Sequence, residues 1–549
     1  MFQAKILSSL EKCFLDDDFS NKPELAIASM LCNEQYSFCV AITMNGDYWK
    51  DTVYWNIETD LPANIKVYKV GHVPVEMAVF IHSYDDNYLK TTPGLYPDLL
   101  TPTMSGDPIH LCPGYVQSLW LIIEPNENTI AGEYTIGIKF SNKEGVLGIK
   151  NLPVTILAHN LPAGRMTVTQ WFYCDCLAQY YNVEVFGDAH FNIIENFIKT
   201  AVENGINTIL TPVFTPPLDT AVGDERLTTQ LVGVNKENDD YTFDFALLDR
   251  WIDICERQNV QVYEIAHLFT QWGAAYAPKI MAYENGAYKQ VFGWDTDACG
   301  EGYKGFLGQF IPALLKHLNS RGIFSDRVIF HISDEPSADQ LESYRKAKEI
   351  AAPLLAGYKI YDALSDYEFY EQGIVENPIP ANNHIAPFIN NKVPNLWTYY
   401  CVGQSVDVSN RFMSMPSARN RIIGVQFYKY LIEGFLHWGY NFYNNQYSTM
   451  AIDPYRVTDG MYFGPAGDAF SVYPAADGTA YPSIRLKVFY EALQDVRAFE
   501  LCESLYSRDF VLKLIDAEGP VTFDKYPKDA AYLINLRQKV NDAINNAKI

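Results

Sequence analysis

Basic residues are in short supply in this chain: 42 Lys and Arg face 66 Asp and Glu, for a formal net charge of −24. A surface of that sign repels nucleic acid, anionic membranes and strongly acidic polymers, so neutral ligands fit better. Long apolar runs are missing as well. Met1 to Asp18 alternate charged and apolar groups without building the apolar core of a signal peptide, and no later run approaches a membrane span. That pattern predicts a soluble cytoplasmic protein with no membrane partner. None of the 10 cysteines lies in a CxxC pair, and most, such as Cys39, Cys255, Cys401 and Cys502, sit in apolar stretches that suit reduced core residues. Cys174-Asp175-Cys176 is the one close pair, and without partnering histidines its spacing is weak evidence for a metal. Phosphate loops, nucleotide fingerprints and zinc-spaced clusters are absent, so no cofactor or metal is implied.

What the chain does have is length and apolar content. Its 549 residues, 48% hydrophobic, exceed one ordinary domain and predict at least two. Over residues 1–163, period-two runs dominate, among them Ser37–Ile42, Ile65–Val70, Leu119–Ile123 and Tyr134–Phe140. Turn clusters such as Asn45-Gly46-Asp47, Pro125-Asn126-Glu127-Asn128 and Asn142-Lys143-Glu144-Gly145 separate them, which predicts a β-sandwich. Asn160-Leu161-Pro162-Ala163-Gly164 then reads as a hinge. Residues 164–510 alternate candidate strands with amphipathic helices. The strands are Thr167–Phe172, Thr208–Val213, Val260–His267, Val328–Ser333, Gly357–Asp362, His384–Phe388, Leu396–Cys401 and Gly434–Asn441. Eight strands with helices between them predict an α/β fold with a (β/α)8 TIM-like barrel. In the sixth unit, residues 384–395 leave little room for a helix. Residues 511–549 predict a C-terminal helical extension packed on the barrel, with a helix over Tyr532–Ile544.

Barrel enzymes place reactive groups where strands end, and the fourth candidate strand ends in Asp334-Glu335-Pro336. Sugar hydrolysis needs a carboxylic acid that donates a proton and a second group that steadies positive charge on the ring, and an acidic pair supplies both. Capping of a helix starting near Pro336 is the plainer use of the same residues. Adjacent side chains on an ideal strand face opposite ways, so both acids reach one pocket only if the chain turns there; Pro336 biases Glu335 toward an extended conformation. Trp171, Trp397, Tyr399, Tyr400 and Trp438 fall at or near strand ends, where flat faces with a polar edge suit sugars.

Together these residues resemble the family 123 glycoside hydrolases and the wider group that shares their C-terminal domain of unknown function 4091. The likeness runs through Leu95–Leu100, Ala131–Tyr134, Asn395–Tyr400, Gly434–Asn441, Ala466-Gly467-Asp468, Val472-Tyr473-Pro474 and Pro482–Leu486, in order. It implies a retaining exo-β-N-acetylgalactosaminidase acting on a carbohydrate with help from its substrate. In that chemistry Glu335 protonates the leaving oxygen while Asp334 holds the 2-acetamido group that attacks the anomeric carbon. The charge on Asp334 is then expected to raise the pKa of Glu335. Asp468 is expected to shape the sugar pocket, with a turn aspartate as the alternative. His331 points into the barrel or serves as a satisfied core histidine; Asn441 bonds a hydroxyl or ends the eighth strand; Tyr473 joins the substrate-binding candidates. Two rivals remain open: a glycosidase for sugars without an acetamido group, with Glu264 or Asp175 as nucleophile, and a carbohydrate-binding protein without turnover.

Overall fold

Strand Gln117–Glu124 explains why the N-terminal runs carry consecutive apolar residues instead of a clean alternation. Its Leu119, Leu121 and Ile123 face one hydrophobic core, while Trp120 and Ile122 on the opposite face belong to another. A strand with two apolar faces lies between two cores. The structure, a computed structural model, describes residues 2–45 and 51–547; Gly46 and Asp47 of the expected turn lie outside them. Two five-stranded sheets form the N-terminal part. The first runs Phe2–Ser8, Tyr36–Met44, Gln117–Glu124, Asn64–Val75, Gly94–Pro102, and the second Ala28–Leu31, Gly145–Leu157, Gly132–Asn142, Asp51–Thr59, Pro108–Leu111. Phe38, Val40 and Ile42 of one sheet meet Trp55, Phe140 and Val154 of the other. The outer face of the first sheet, through Val70, Tyr96 and Trp120, packs on the second half of the chain.

That second half is a nearly closed barrel of eight parallel strands in chain order: Thr167–Gln170, Thr208–Thr211, Val262–Ile265, Val328–Phe330, Lys359–Ala363, Asn377–Ile379, Trp397–Tyr399 and Gly434–His437. The eighth returns to pair with the first, Thr167 opposite Gly434. The sixth and seventh meet only past the end of the sixth, where Ala381 bridges Tyr399. The sixth strand was expected at His384–Phe388 and lies earlier; a short helix, Ala386–Asn390, with Pro387 in its first turn, occupies the expected place. A three-residue strand flanked by Pro380 has too few positions to show a period.

Residues 212–300 hold an element absent from the sequence reading. Gly233–Glu237, Asp240–Asp244, Ile280–Glu284 and Ala287–Phe292 form a four-stranded sheet inserted in the loops that follow the second and third barrel strands. Its clearest signal was Asn285-Gly286, both at positive φ between paired strands, the pattern of a tight hairpin.

A buried ion pair fastens the halves together. Arg485, in the first turn of helix Ile484–Leu505, donates from Nε and Nη2 to the two oxygens of Asp98 on strand Gly94–Pro102, both at 2.8 Å. Its Nη1 reaches the Gly467 and Phe470 carbonyls at 2.5 and 2.7 Å. At the far end, helix Ala530–Asn546 lies against the second sheet and helix Ile484–Leu505; its Arg537 binds Glu34 at 2.6 Å and its Asn541 binds Ser29.

Candidate active site

The acid pair sits in the loop that leaves the fourth barrel strand. Regular pairing stops at Phe330, and just beyond it the backbone N–H groups of Ile332 and Ser333 donate to Asp362 Oδ1 at 2.8 and 3.2 Å. Asp362 is fully buried on the fifth strand and also accepts the Tyr344 hydroxyl. A side chain therefore takes over the ladder and fixes the path into Asp334 and Glu335. Ser333 Oγ donates to the Thr270 carbonyl at 3.0 Å, and the Trp272 N–H donates to the Asp334 carbonyl at 2.9 Å, so the loop after the third strand braces the same turn.

Glu335 is not extended. Its φ is +43°, in the left-handed region that a non-glycine residue rarely occupies, and its N–H is held by the Ala363 carbonyl at 3.1 Å. The expected influence of Pro336 is overridden by this packing. Glu335 is exposed and Asp334 half-buried. The Tyr399 hydroxyl, from the end of the seventh strand, donates to Glu335 Oε1.

The carboxyl that the surroundings push well above its ordinary range is Asp334: burial acts first, then the charges of Glu335, Asp362 and Asp219. Burial also lifts Asp362 to about 6, against the opposing pull of His331 and the hydrogen bonds it accepts. Asp219, in the loop after the second strand, is raised by burial to about 6 as well, with Arg226 opposing.

Beneath the pair the barrel is filled by a polar layer centred on Glu264, on the third strand. Its carboxylate, 0% exposed, accepts from Trp171 Nε1 at 2.7 Å, from His331 Nε2 at 2.7 Å and from the Thr169 hydroxyl. His331 stacks on His267, with ring centroids 4.5 Å apart and planes 12° apart. Burial disfavours charge on both rings. In His331 the Glu264 and Asp362 carboxylates outweigh it and raise the pKa; in His267 the His331 charge adds to it and the pKa is pushed far down. Asp175 is likewise engaged, with Arg226 Nε and Nη2 at 3.1 and 2.7 Å in a buried pair.

The expected substrate-binding residues divide. Trp171, His331 and Tyr399 lie under or beside the acids, as described. Trp438 and Asp468 form a pair at the end of the eighth strand, the indole Nε1 donating to Asp468 Oδ2 at 2.7 Å. Burial raises the Cys401 thiol, and so do the charges of Glu335, Asp468 and Asp334. Three others are used elsewhere. Trp397 begins the seventh strand at the opposite end of the barrel, stacked on Tyr361 at 4.3 Å, and its ring occupies the space a Cβ at Gly434 would need. Asn441, buried, spends both amide atoms on the Tyr173 backbone, accepting at 2.8 Å and donating at 3.0 Å. Tyr473, also buried, donates to Asp98 Oδ2 at 2.5 Å and so belongs to the Asp98–Arg485 staple. The sequence reading missed Asp362, Tyr344 and Asp219, each an ordinary polar residue whose importance depends on what the fold brings beside it.

Residues 171–502 match the family description "Glycoside hydrolase 123, catalytic domain". The chain belongs to glycoside hydrolase family 123. The match spans the site from Trp171 to Asp468 and most of the barrel. Among solved structures, a family 123 glycoside hydrolase from Clostridium perfringens, reported in a study of glycolipid glycan hydrolysis, superposes over 100% of this chain and 98% of its own, with a TM-score of 0.73 and 16% identity. At that identity the likeness speaks for the fold. A Ruminococcus gnavus β-glucuronidase (TM-score 0.31, 9% identity, 84% of this chain and 88% of its own) is too distant to bear on the site. None of the curated proteins compared matches. This family 123 chain is therefore a glycoside hydrolase with a carbohydrate substrate, and among its described residues no helix is long and apolar enough to cross a membrane.

Proposed function

We propose that this hydrolase removes a terminal β-linked N-acetylhexosamine, galactosamine in preference, with retention and with the substrate's own acetamido group as nucleophile. The observation that carries the reading is the state of the carboxylates. A direct displacement needs a second carboxylate across the ring from the acid, about 5–5.5 Å away. Of the candidates for that part, Glu264 is taken up by three buried donors and Asp175 by a buried ion pair with Arg226. Asp334 and Glu335 at the mouth are neighbours in sequence, a placement suited to one acid and one orienting group.

Burial first, and then the charge of the neighbouring Glu335, favour the protonated form of Asp334. Binding of the substrate's amide N–H to Asp334 stabilises its carboxylate and passes the proton to Glu335, which the Tyr399 hydroxyl aims. Glu335 then protonates the glycosidic oxygen as the acetamido oxygen attacks C1, the C1–O bond breaks, and a cyclic oxazolinium forms with its N–H held on Asp334. Intramolecular attack profits from a high effective molarity. Water, deprotonated by Glu335, opens the ring at C1 with overall retention. In this reading the eight strands are a (β/α)8 barrel with its site at the carboxyl ends, and the glycolipid glycans of the Clostridium relative suggest the class of natural substrate.

A panel of aryl glycosides tests the reading. Hydrolysis of the 2-acetamido β-galactoside, with inhibition by a thiazoline mimic, supports it; hydrolysis confined to sugars without the acetamido group restores a carboxylate nucleophile, and binding without turnover leaves a lectin-like protein. Glu335→Gln is expected to lower turnover roughly 10²–10⁴-fold on poor leaving groups. Asp334→Asn should damage acetamido sugars selectively, and near-wild-type rates in that variant would remove Asp334 from its role.

A further inference from the structure

Two large aromatic side chains are exposed at the carboxyl-end face: Trp272, 38% exposed, in the loop after the third strand, and Tyr447, 37% exposed, in the loop after the eighth. Their rings meet edge to face, with centroids 6.0 Å apart and planes at 88°. Both residues hold left-handed backbone, with φ of +57° and +62°. Bulky residues avoid that region, and they stay there only where surrounding contacts over-determine the chain. The contacts are present. Asp219, itself at φ +44°, accepts the Tyr447 N–H at 3.2 Å on Oδ2 and the Ser448 hydroxyl at 2.8 Å on its carbonyl, while its own N–H donates to Gln271 Oε1 at 2.5 Å. The Trp272 N–H closes the chain on the Asp334 carbonyl at 2.9 Å. Three loops are thus tied together, and the Trp272 backbone joins them to the loop that carries the acid pair.

A pair of exposed rings with polar groups at their edges is the surface that neutral sugars favour, since a pyranose offers C–H groups on one face and hydroxyls around its rim. Resting on the N-acetylhexosaminidase reading above, we propose that Trp272 and Tyr447 form a clamp for the sugar on the leaving side of the scissile bond, and that Asp219 is the positioning residue that holds it. The enzyme would then recognise a terminal N-acetylhexosamine attached to another neutral hexose and would spend part of that binding in the transition state. Aglycones without a ring would forgo it.

The test compares two substrates that share the terminal sugar and differ beyond the bond: 2-acetamido-β-galactosyl fluoride, which has no leaving sugar, and the β-linked disaccharide in which the leaving group is galactose. With the full-length protein, Trp272→Ala and Tyr447→Ala are expected to lower kcat/KM for the disaccharide roughly 10-fold or more beyond any fall on the fluoride. Trp272→Phe and Tyr447→Phe, which keep a ring, should recover most of the loss. Equal falls on the two substrates, or no fall on the disaccharide, overturn the clamp. A wild-type protein that cleaves neither substrate refutes the hydrolase mechanism instead, and the clamp goes with it.

Discussion

Asp362 is the residue on which the acid pair hangs, and two substitutions there separate holding from charge. Asp362→Ala strips the acceptor from the Ile332 and Ser333 N–H groups and from the Tyr344 hydroxyl, three donors that no water reaches around a fully buried side chain. Each orphaned buried donor costs about 1–3 kcal/mol, so the variant should lose roughly 3–9 kcal/mol of stability. Its 331–335 segment should also relax, and a displacement of about 1 Å at a reacting group is enough to lower turnover on the order of 10²-fold. Asp362→Asn retains an acceptor for the two backbone groups and should melt close to wild type, while removing one of the charges that raise Asp334. If Asp334 must be ionised to hold the acetamido group, the acidic limb of the kcat/KM profile should then move to lower pH. The assay is hydrolysis of an activated 2-acetamido β-galactoside across pH, beside thermal denaturation of each variant. An Asp362→Ala protein with wild-type melting and wild-type turnover would falsify the argument, since the loop would then hold its shape without the anchor that Asp362 supplies from the fifth strand.

The Asp98–Arg485 pair should behave as a buried ion pair across two layers: Arg485→Met is expected to cost about 3–5 kcal/mol in denaturant unfolding, and the double variant with Asp98→Leu should recover part of it. Wild-type unfolding of the single variant would show that the pair does not fasten the sheets to the barrel. Trp397→Ala should remove about 3–5 kcal/mol through its lost packing on Tyr361 while turnover per folded molecule stays near wild type; a selective rise in KM would return Trp397 to the substrate. Glu491, buried beside Arg421 where the first sheet meets the barrel, is raised by burial from 4.5 to about 7. The folded state holds that proton more tightly than the unfolded chain does, so the contribution is complete below about pH 4.5 and lost as pH rises through about 7. Melting temperatures between pH 5 and 8 should fall less steeply in Glu491→Gln, and an unchanged slope would discount this carboxyl.

Much of the architecture was legible because burial imposes a period. Leu119–Ile123 and Tyr134–Phe140 marked strands, and Phe489, Ala492, Leu493, Val496 and Phe499 marked the closing helix. The inserted sheet escaped notice because strands such as Gly233–Glu237 and Ala287–Phe292 are mostly solvated and show little apolar alternation. In the site, Asp334 and Glu335 stood out because two acids before a proline end an apolar strand. The aromatics were harder to sort. Trp397 and Tyr399 are two residues apart on one strand, and which of them reaches the acids depends on where the barrel's layers fall along it. Asn441 and Tyr473 show the other limit: polar residues at strand ends serve backbone and ion-pair partners as readily as ligands.

By itself the order of residues determined the two-part architecture, the acidic charge of the chain and the place of the acid pair, because hydrophobic period, net charge and local motif can be read without the fold. Tertiary structure alone decided that Glu335 takes a left-handed turn against the bias of its proline, that Glu264 is consumed by three donors, and that Asp219 and Asp362 stand within reach of Asp334. Those outcomes turn on desolvation and on distances between residues far apart in the chain, and no local pattern encodes either.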